Sequence, residues 1–331
     1  RMYWLSSDWD DPVTDFGFSK SGVETLEKWG KARTLRRFAR VLRIERPDII
    51  CPTFLDIPGQ HGHHRAMTEA AHLVMDLAAD PSFDTGGHAP WAVKKLYLPA
   101  WSGAGQAYDD DLPPPPVTLT IQADGIDPIS GASFERIGQQ SRAYHKTQGM
   151  GQWIEIGAER NWPLHLVRSR VEGPDDTIAS GLPQSLRDLG LGNIQDHLDA
   201  ARATFPDFEA VTKEASAALA LLQTTSVAPQ DQHRIERKIT QISRVIRLAS
   251  GVQVEARLDQ NCLAPGERSD FHIAVRQGTA TQVSTGVKAA AGWTANKAGL
   301  RNDGAVPSQP YPDCFLPDRP VAPCVDVEVI T

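Results

Sequence analysis

The sequence predicts an α/β protein: a layered, parallel sheet with covering helices, then a helical segment, then a partial β-sandwich. Three observations predict it. Strand-like and helix-like patterns alternate in β-α-β-α order up to about Leu98, an order that favours a parallel sheet. From about Ser180 to Ala249 the apolar residues keep helical spacing. After Gly251 they alternate, the period of a half-buried strand. The expected divisions are residues 1–178, 179–250 and 251–331.

Taken in order, Arg1 to Leu5 reads as a strand, followed by an aspartate-rich loop ending in Asp15-Phe16-Gly17-Phe18-Ser19. Ser21 and Glu24 match a capping box. One long amphipathic helix should follow to about Arg46, with Leu26, Leu35, Phe38, Ala39 and Leu42 inward, and Pro47 stops it. Asp48-Ile49-Ile50-Cys51 is a short apolar run before Pro52, expected as an interior strand. Ala66 to Ala79 places Ala66, Ala70, Leu73, Val74 and Leu77 on one helical face. Ala92 to Leu98 reads as a strand, and Val117 to Ala123 as a half-buried one turned by Asp124-Gly125. Ser133 to Gln148 reads as a helix and Leu164 to Val167 as a short strand.

Helices are expected over 186–205, 208–222 and 233–249. Strands are expected over 252–256 and 271–275, and where Val325, Val327 and Val329 alternate. Few strands can be counted, so the sandwich module is expected to be incomplete.

Composition excludes several classes. The net charge is -7 and no basic stripe appears, so nucleic acid is not an expected partner. No apolar run reaches the length of a membrane span. Four cysteines are too few for a disulfide framework. Cys314 and Cys324 either pair across a proline-rich turn or are free thiols, and Cys51 reads as a small buried apolar residue.

One stretch concentrates the chemistry. Gln60-His61-Gly62-His63-His64-Arg65-Ala66 holds three of the ten histidines. It lies where a strand ends and a helix begins, the end of an open α/β sheet at which ligands bind. His61 and His64 are three apart and share a helical face. Neutral imidazole is a common zinc ligand, yet zinc needs three or four ligands, and a solvated histidine loop has the same sequence. Of the other histidines, His72 reads as structural and His145 as a helix-end cap. Asp109-Asp110-Asp111 lacks the spacing of a calcium loop.

Four stretches resemble, in order, the PIG-L (LmbE-like) family of zinc-dependent N-deacetylases, larger bacterial type. They are Asp15 to Ser19 with Glu24 to Gly30, Arg46 to Ile50, Gly62 to Ala66, and Ser141-Arg142 with His145 to Gly151. The match spans roughly residues 1–175. The resemblance implies a Rossmann-like layered parallel sheet and a zinc hydrolase that removes the acetyl group from an N-acetylated amino sugar or glycoconjugate of the N-acetylglucosamine type. It makes His64 the metal ligand and His61 the electrophilic histidine facing the scissile amide. His63, where many members have aspartate, becomes a contact around the metal shell, and Asp15, Lys146 and Gln148 become substrate-binding residues.

The family's Ala-His-Pro-Asp-Asp-Glu motif, which supplies two more zinc ligands and the general base, does not occur in this sequence. The expectation is therefore a carboxyl-terminal portion of such an enzyme, with a sheet incomplete at its amino-terminal side and other domains in a longer chain. Alone it should release no acetate. The alternative is a non-catalytic, carbohydrate-binding relative. No signal peptide is visible from Arg1 onward, and both cytoplasmic and extracytoplasmic locations stay open.

Overall fold

The computed structural model describes residues 19–100, 113–149, 151, 160–260, 263–304 and 325–330. The expected first strand, Asp15, the aspartates at 109–111, and Cys314 with Cys324 lie outside these residues. The protein is mixed α/β, and its contacts divide it into two units between Leu182 and Pro183.

In the first unit, α1 (Gly22–Trp29) is capped by Ser21, whose hydroxyl accepts from the Glu24 N–H at 3.2 Å. The expected single long helix is instead two. Gly30 takes φ +80° and ψ +84°, a left-handed conformation that only glycine adopts cheaply, so it ends α1 and opens α2 (Lys31–Glu45). Both pack against α3 (Gly62–Leu77). Ala66, Ala70, Ala71, Val74 and Met75 of α3 are fully buried. Leu73, expected inward, is 39% exposed, because the buried stripe is rotated toward Ala71 and Met75.

The sheet of this unit contains β1 (Ile49–Ile50), β2 (Lys95–Pro99), β3 (Leu119–Ala123) and β4 (Arg160–Ser169), in the order β1-β2-β4-β3. Only β1 and β2 are parallel; β4 runs antiparallel to both β2 and β3. The described sheet is therefore mixed rather than parallel. Among the described residues β1 lies at its edge, not in its interior. β4 is also longer than the expected four residues. It pairs β3 through Arg160 to Leu164 and β2 through Leu164 to Ser169, so it needs length to serve both. Its charged end is held by partners: Arg168 and, just beyond the strand, Arg170 donate to the Asp76 carboxylate of α3, with the Arg170 contact at 2.8 Å.

The core between helices and sheet gathers Ala39, Leu42, Ile50, Val74, Met75, Trp91, Val93 and Leu96. Each large side chain buried there contributes roughly 2 kcal/mol. Arg43 enters this core 4% exposed. Its guanidinium donates to the carbonyls of Leu77, Ala78, Asp80, Phe83 and His88 and to the Thr85 hydroxyl. Burial lowers its pKa, and the nearby Asp80 and Asp84 charges oppose that.

The expected helix over 133–148 is α4 (Phe134–Arg142), capped by Ser133, followed by a short 3-10 turn at Lys146–Gln148. The two are separate because the turn at Tyr144 interrupts the helical bonding.

The second unit opens with a 3-10 turn at Leu186–Leu189, whose capping box joins Ser185 and Asp188. Helices α5 (Gly192–Thr204), α6 (Phe208–Gln223) and α7 (Gln232–Ala249) pack in succession around Ile194, Ala215, Ala218, Leu222, Ile235 and Ile242. Six strands follow: β5 (Gln253–Leu258), β6 (Arg268–Arg276), β7 (Ser284–Ala289), β8 (Trp293–Asn296), β9 (Gly299–Asn302) and β10 (Val325–Ile330). They form a four-stranded antiparallel sheet, β5-β6-β9-β8, and an antiparallel β7–β10 pair. The helical and β-rich parts belong to one unit. The Thr279 N–H donates to the Ser250 carbonyl at 2.8 Å, tying the sheet to the end of α7. Among the described residues, no helix is long and apolar enough to cross a membrane.

Candidate metal centre

The histidine loop sits between β1 and α3. His61 is the residue just before α3, in extended conformation (φ -66°, ψ 145°), and His63 and His64 lie in the helix's first turn. Gly62 is required at the junction. Its N–H donates to the Ser19 carbonyl at 2.5 Å, and a Cβ there would fall 2.1 Å from Thr25 Oγ1. That close approach presses α3 against the start of α1.

All three imidazoles converge. Each offers a nitrogen, and these nitrogens lie within 4.8 Å of one another. The His63 and His64 rings are 4.0 Å apart at 63°, and His61 stands 5.8 Å from His64 between ring centres. A tetrahedral zinc with bonds of about 2.1 Å wants its nitrogens about 3.4 Å apart, within reach of small side-chain rotations from this arrangement. The cluster could therefore hold a metal ion.

His64 is the most constrained member. Its ring stacks on Phe54 at 3.7 Å and 6°. Its Nδ1 lies 2.8 Å from Gln60 Oε1, and Gln60 is 4% exposed. Thr68, one turn along α3, donates its hydroxyl to the Phe54 carbonyl at 2.7 Å and so fixes the loop that carries Phe54. The His64 pKa is lowered to about 4, first by burial and then by the charges that His63 and His61 would carry. Its imidazole is neutral at neutral pH, the form that binds metals.

Beside the cluster lies a cavity of about 370 Å³, lined by His63 and His64 together with apolar residues such as Phe38, Ile50, Phe54 and Met67. Cys51 lines it too; expected buried, it is exposed because β1 has already ended at Ile50. Under β2, the Tyr97 hydroxyl donates to Asp175 at 2.6 Å, and the same carboxylate receives Lys95 Nζ at 2.6 Å. Burial, then the hydrogen bond to Asp175, raises the Tyr97 pKa.

Among the described residues, no contact brings another expected site residue to the cluster. Asp15 lies outside the described residues. Lys146 is exposed in its 3-10 turn, and no described contact brings it to the cluster. Gln148 closes the same turn. Asp56 is ion-paired with Arg65 at 2.5 Å and lines a different cavity of about 470 Å³, with Leu55, Ile57 and His72.

Sequence reasoning missed Gln60, Phe54 and the Lys95–Tyr97–Asp175 group. Two signals were available. Gln60 and His64 are four apart, the spacing of side chains that meet along a helix. Lys95 and Tyr97 alternate in a strand and so face the same way. No family model, curated protein or solved structure matches this chain.

Proposed function

We propose that this chain carries the histidine part of a zinc-dependent site that removes the acetyl group from an N-acetylated amino sugar, as in the PIG-L (LmbE-like) family that its motifs resemble. The observation that carries the reading is the convergence of His61, His63 and His64 where β1 gives way to α3. A Rossmann-like core fits the parallel β1–α3–β2 unit, and the two sheets after α7 are read as a partial β-sandwich.

In this reading His64 holds zinc, and His63 lies near enough to add a second nitrogen. When bound, zinc would supply a Lewis acid and an acidified water. His61, exposed at the helix entry, donates a proton or hydrogen bond to the oxygen or amine of the scissile amide. The apolar wall of Phe54, Ile50 and Met67 keeps water away from one side of the cluster.

One observation favours the second reading, a carbohydrate-binding relative without turnover. Among the described residues, the cluster of possible ligands contains no carboxylate to act as base. The experiment separates the two. The chain is supplied with zinc and an N-acetylglucosamine conjugate, and zinc content, conjugate binding and released acetate are measured. The same assay is run on a version joined to a segment carrying the Ala-His-Pro-Asp-Asp-Glu motif: acetate released by that version and abolished by His61→Ala supports the hydrolase, and binding without release by both supports the relative. Zinc retained at full occupancy in His64→Ala refutes the metal assignment in both.

A further inference from the structure

We propose that Gln60 is a positioning residue for the metal centre: it sets the tautomer of His64 and thereby aims that ring's Nε2 at the metal. The inference deepens the reading above and rests on it for the role of the metal, though not for the tautomer.

An amide oxygen carries no proton. The 2.8 Å contact between Gln60 Oε1 and His64 Nδ1 therefore requires the proton to sit on Nδ1, with the Gln60 oxygen accepting. That leaves the lone pair on Nε2, the nitrogen at the far side of the ring. In free neutral imidazole the proton moves between both nitrogens, and the hydrogen bond made by one nitrogen decides which is available to a metal.

Three further features make this contact a built one. Gln60 is 4% exposed, so solvent does not compete for its amide. The Phe54 ring lies flat on His64 at 3.7 Å and fixes the ring plane while leaving both nitrogens at the edge. The Thr68 hydroxyl, 2.7 Å from the Phe54 carbonyl, ties that loop to the helix bearing His64. The plane is thus set by Phe54, and the choice of nitrogen by Gln60.

The test uses the full chain without metal, then with zinc or cobalt ions as the probe. Long-range proton–nitrogen NMR should show His64 in the Nδ1–H form in the wild type. Gln60→Leu should move it toward the Nε2–H form and weaken zinc binding about 10- to 100-fold, the usual effect of removing such a partner. Gln60→Glu keeps an acceptor and should restore both the tautomer and the affinity. Phe54→Leu should leave the tautomer unchanged while altering the visible spectrum of bound cobalt. A wild-type His64 in the Nε2–H form overturns the proposal without any variant, and so does a Gln60→Leu protein with unchanged tautomer and affinity. Absence of zinc binding to the wild type would defeat the metal reading and the aiming role together. The Nδ1–H tautomer imposed by Gln60 would still stand as a separate result.

Discussion

Two polar clusters of the first unit, Arg43 and the histidines, handle burial in opposite ways. Arg43 is a single cation surrounded by acceptors, five carbonyls and one hydroxyl. Every contact it makes is between unlike groups. The histidine cluster brings three like groups within 4.8 Å of one another, and burial, with the other two histidines adding to it, drives the proton off His64. Complementary crowding holds a fold together. Crowding of like groups lowers the cost of adding something from outside, here a cation that would hold the three nitrogens together. Arg43 is also buried, whereas His61 is exposed and His63 and His64 are half-buried; the clusters differ both in burial and in the pairing of donors with acceptors.

The largest expected effect breaks the first cluster. Arg43→Met should destabilise the protein by about 4 kcal/mol, since several buried carbonyls lose a charged donor at once. Urea denaturation measures it. Arg43→Lys should recover less than half, because an ammonium cannot span acceptors arranged for a planar fork. A loss below about 1 kcal/mol for the methionine variant would mean that water replaces the clasp and that the contrast is false.

Asp175→Asn comes next, at about 2 kcal/mol. The amide keeps a hydrogen bond to Tyr97 but leaves the buried Lys95 ammonium without its opposite charge. The double variant with Lys95→Met should be more stable than the single one, and a thermodynamic cycle reads that difference directly.

By contrast, His63→Ala should change the stability of the metal-free protein by less than about 1 kcal/mol, because the side chain is only half-buried, in the first turn of α3. It should also raise the His64 pKa above about 4, as followed by NMR titration.

The pH dependence of the metal-free protein tests the same crowding from the side of the proton. The folded His64 takes up its proton only near pH 4, whereas unfolded histidine does so near 6.5. The unfolded state therefore binds more protons between those values. Stability should fall as pH drops from about 6.5 to 4 and level off below, and His63→Ala should narrow that window. Urea midpoints that are flat across this range would show that His64 is not displaced from ordinary behaviour.

Much of the helical architecture was legible in the sequence. The expected 208–222 helix is α6 at Phe208–Gln223, where apolar spacing and the Asp207 cap agree. The histidines too were found by spacing alone. What was hidden depends on long-range partners or on one backbone angle. Gly30 lies inside a helical pattern, and nothing local announces that it will turn left-handed. The expected strand stopped at Val167, whereas β4 runs to Ser169; Asp76, which Arg168 and Arg170 reach, lies more than ninety residues earlier in the chain. Strand neighbours are not written in chain order, so the antiparallel fit of β4 between β2 and β3 could not be read from a β-α-β-α pattern. The Lys95–Asp175 pair joins residues eighty positions apart, which no local pattern reveals.

The pairing of β10 with β7 bears on how the protein behaves in bulk. Six residue pairs, from Val325↔Ala289 to Ile330↔Ser284, zip the two strands together. A protease that clipped off Val325–Ile330 would leave β7 with a newly bare row of amides and carbonyls, a template for any extended strand it meets. β10 thus covers an edge whose exposure would lower colloidal stability. Its loss should appear as light scattering that grows with concentration, before any change in the melting of the helices that precede it.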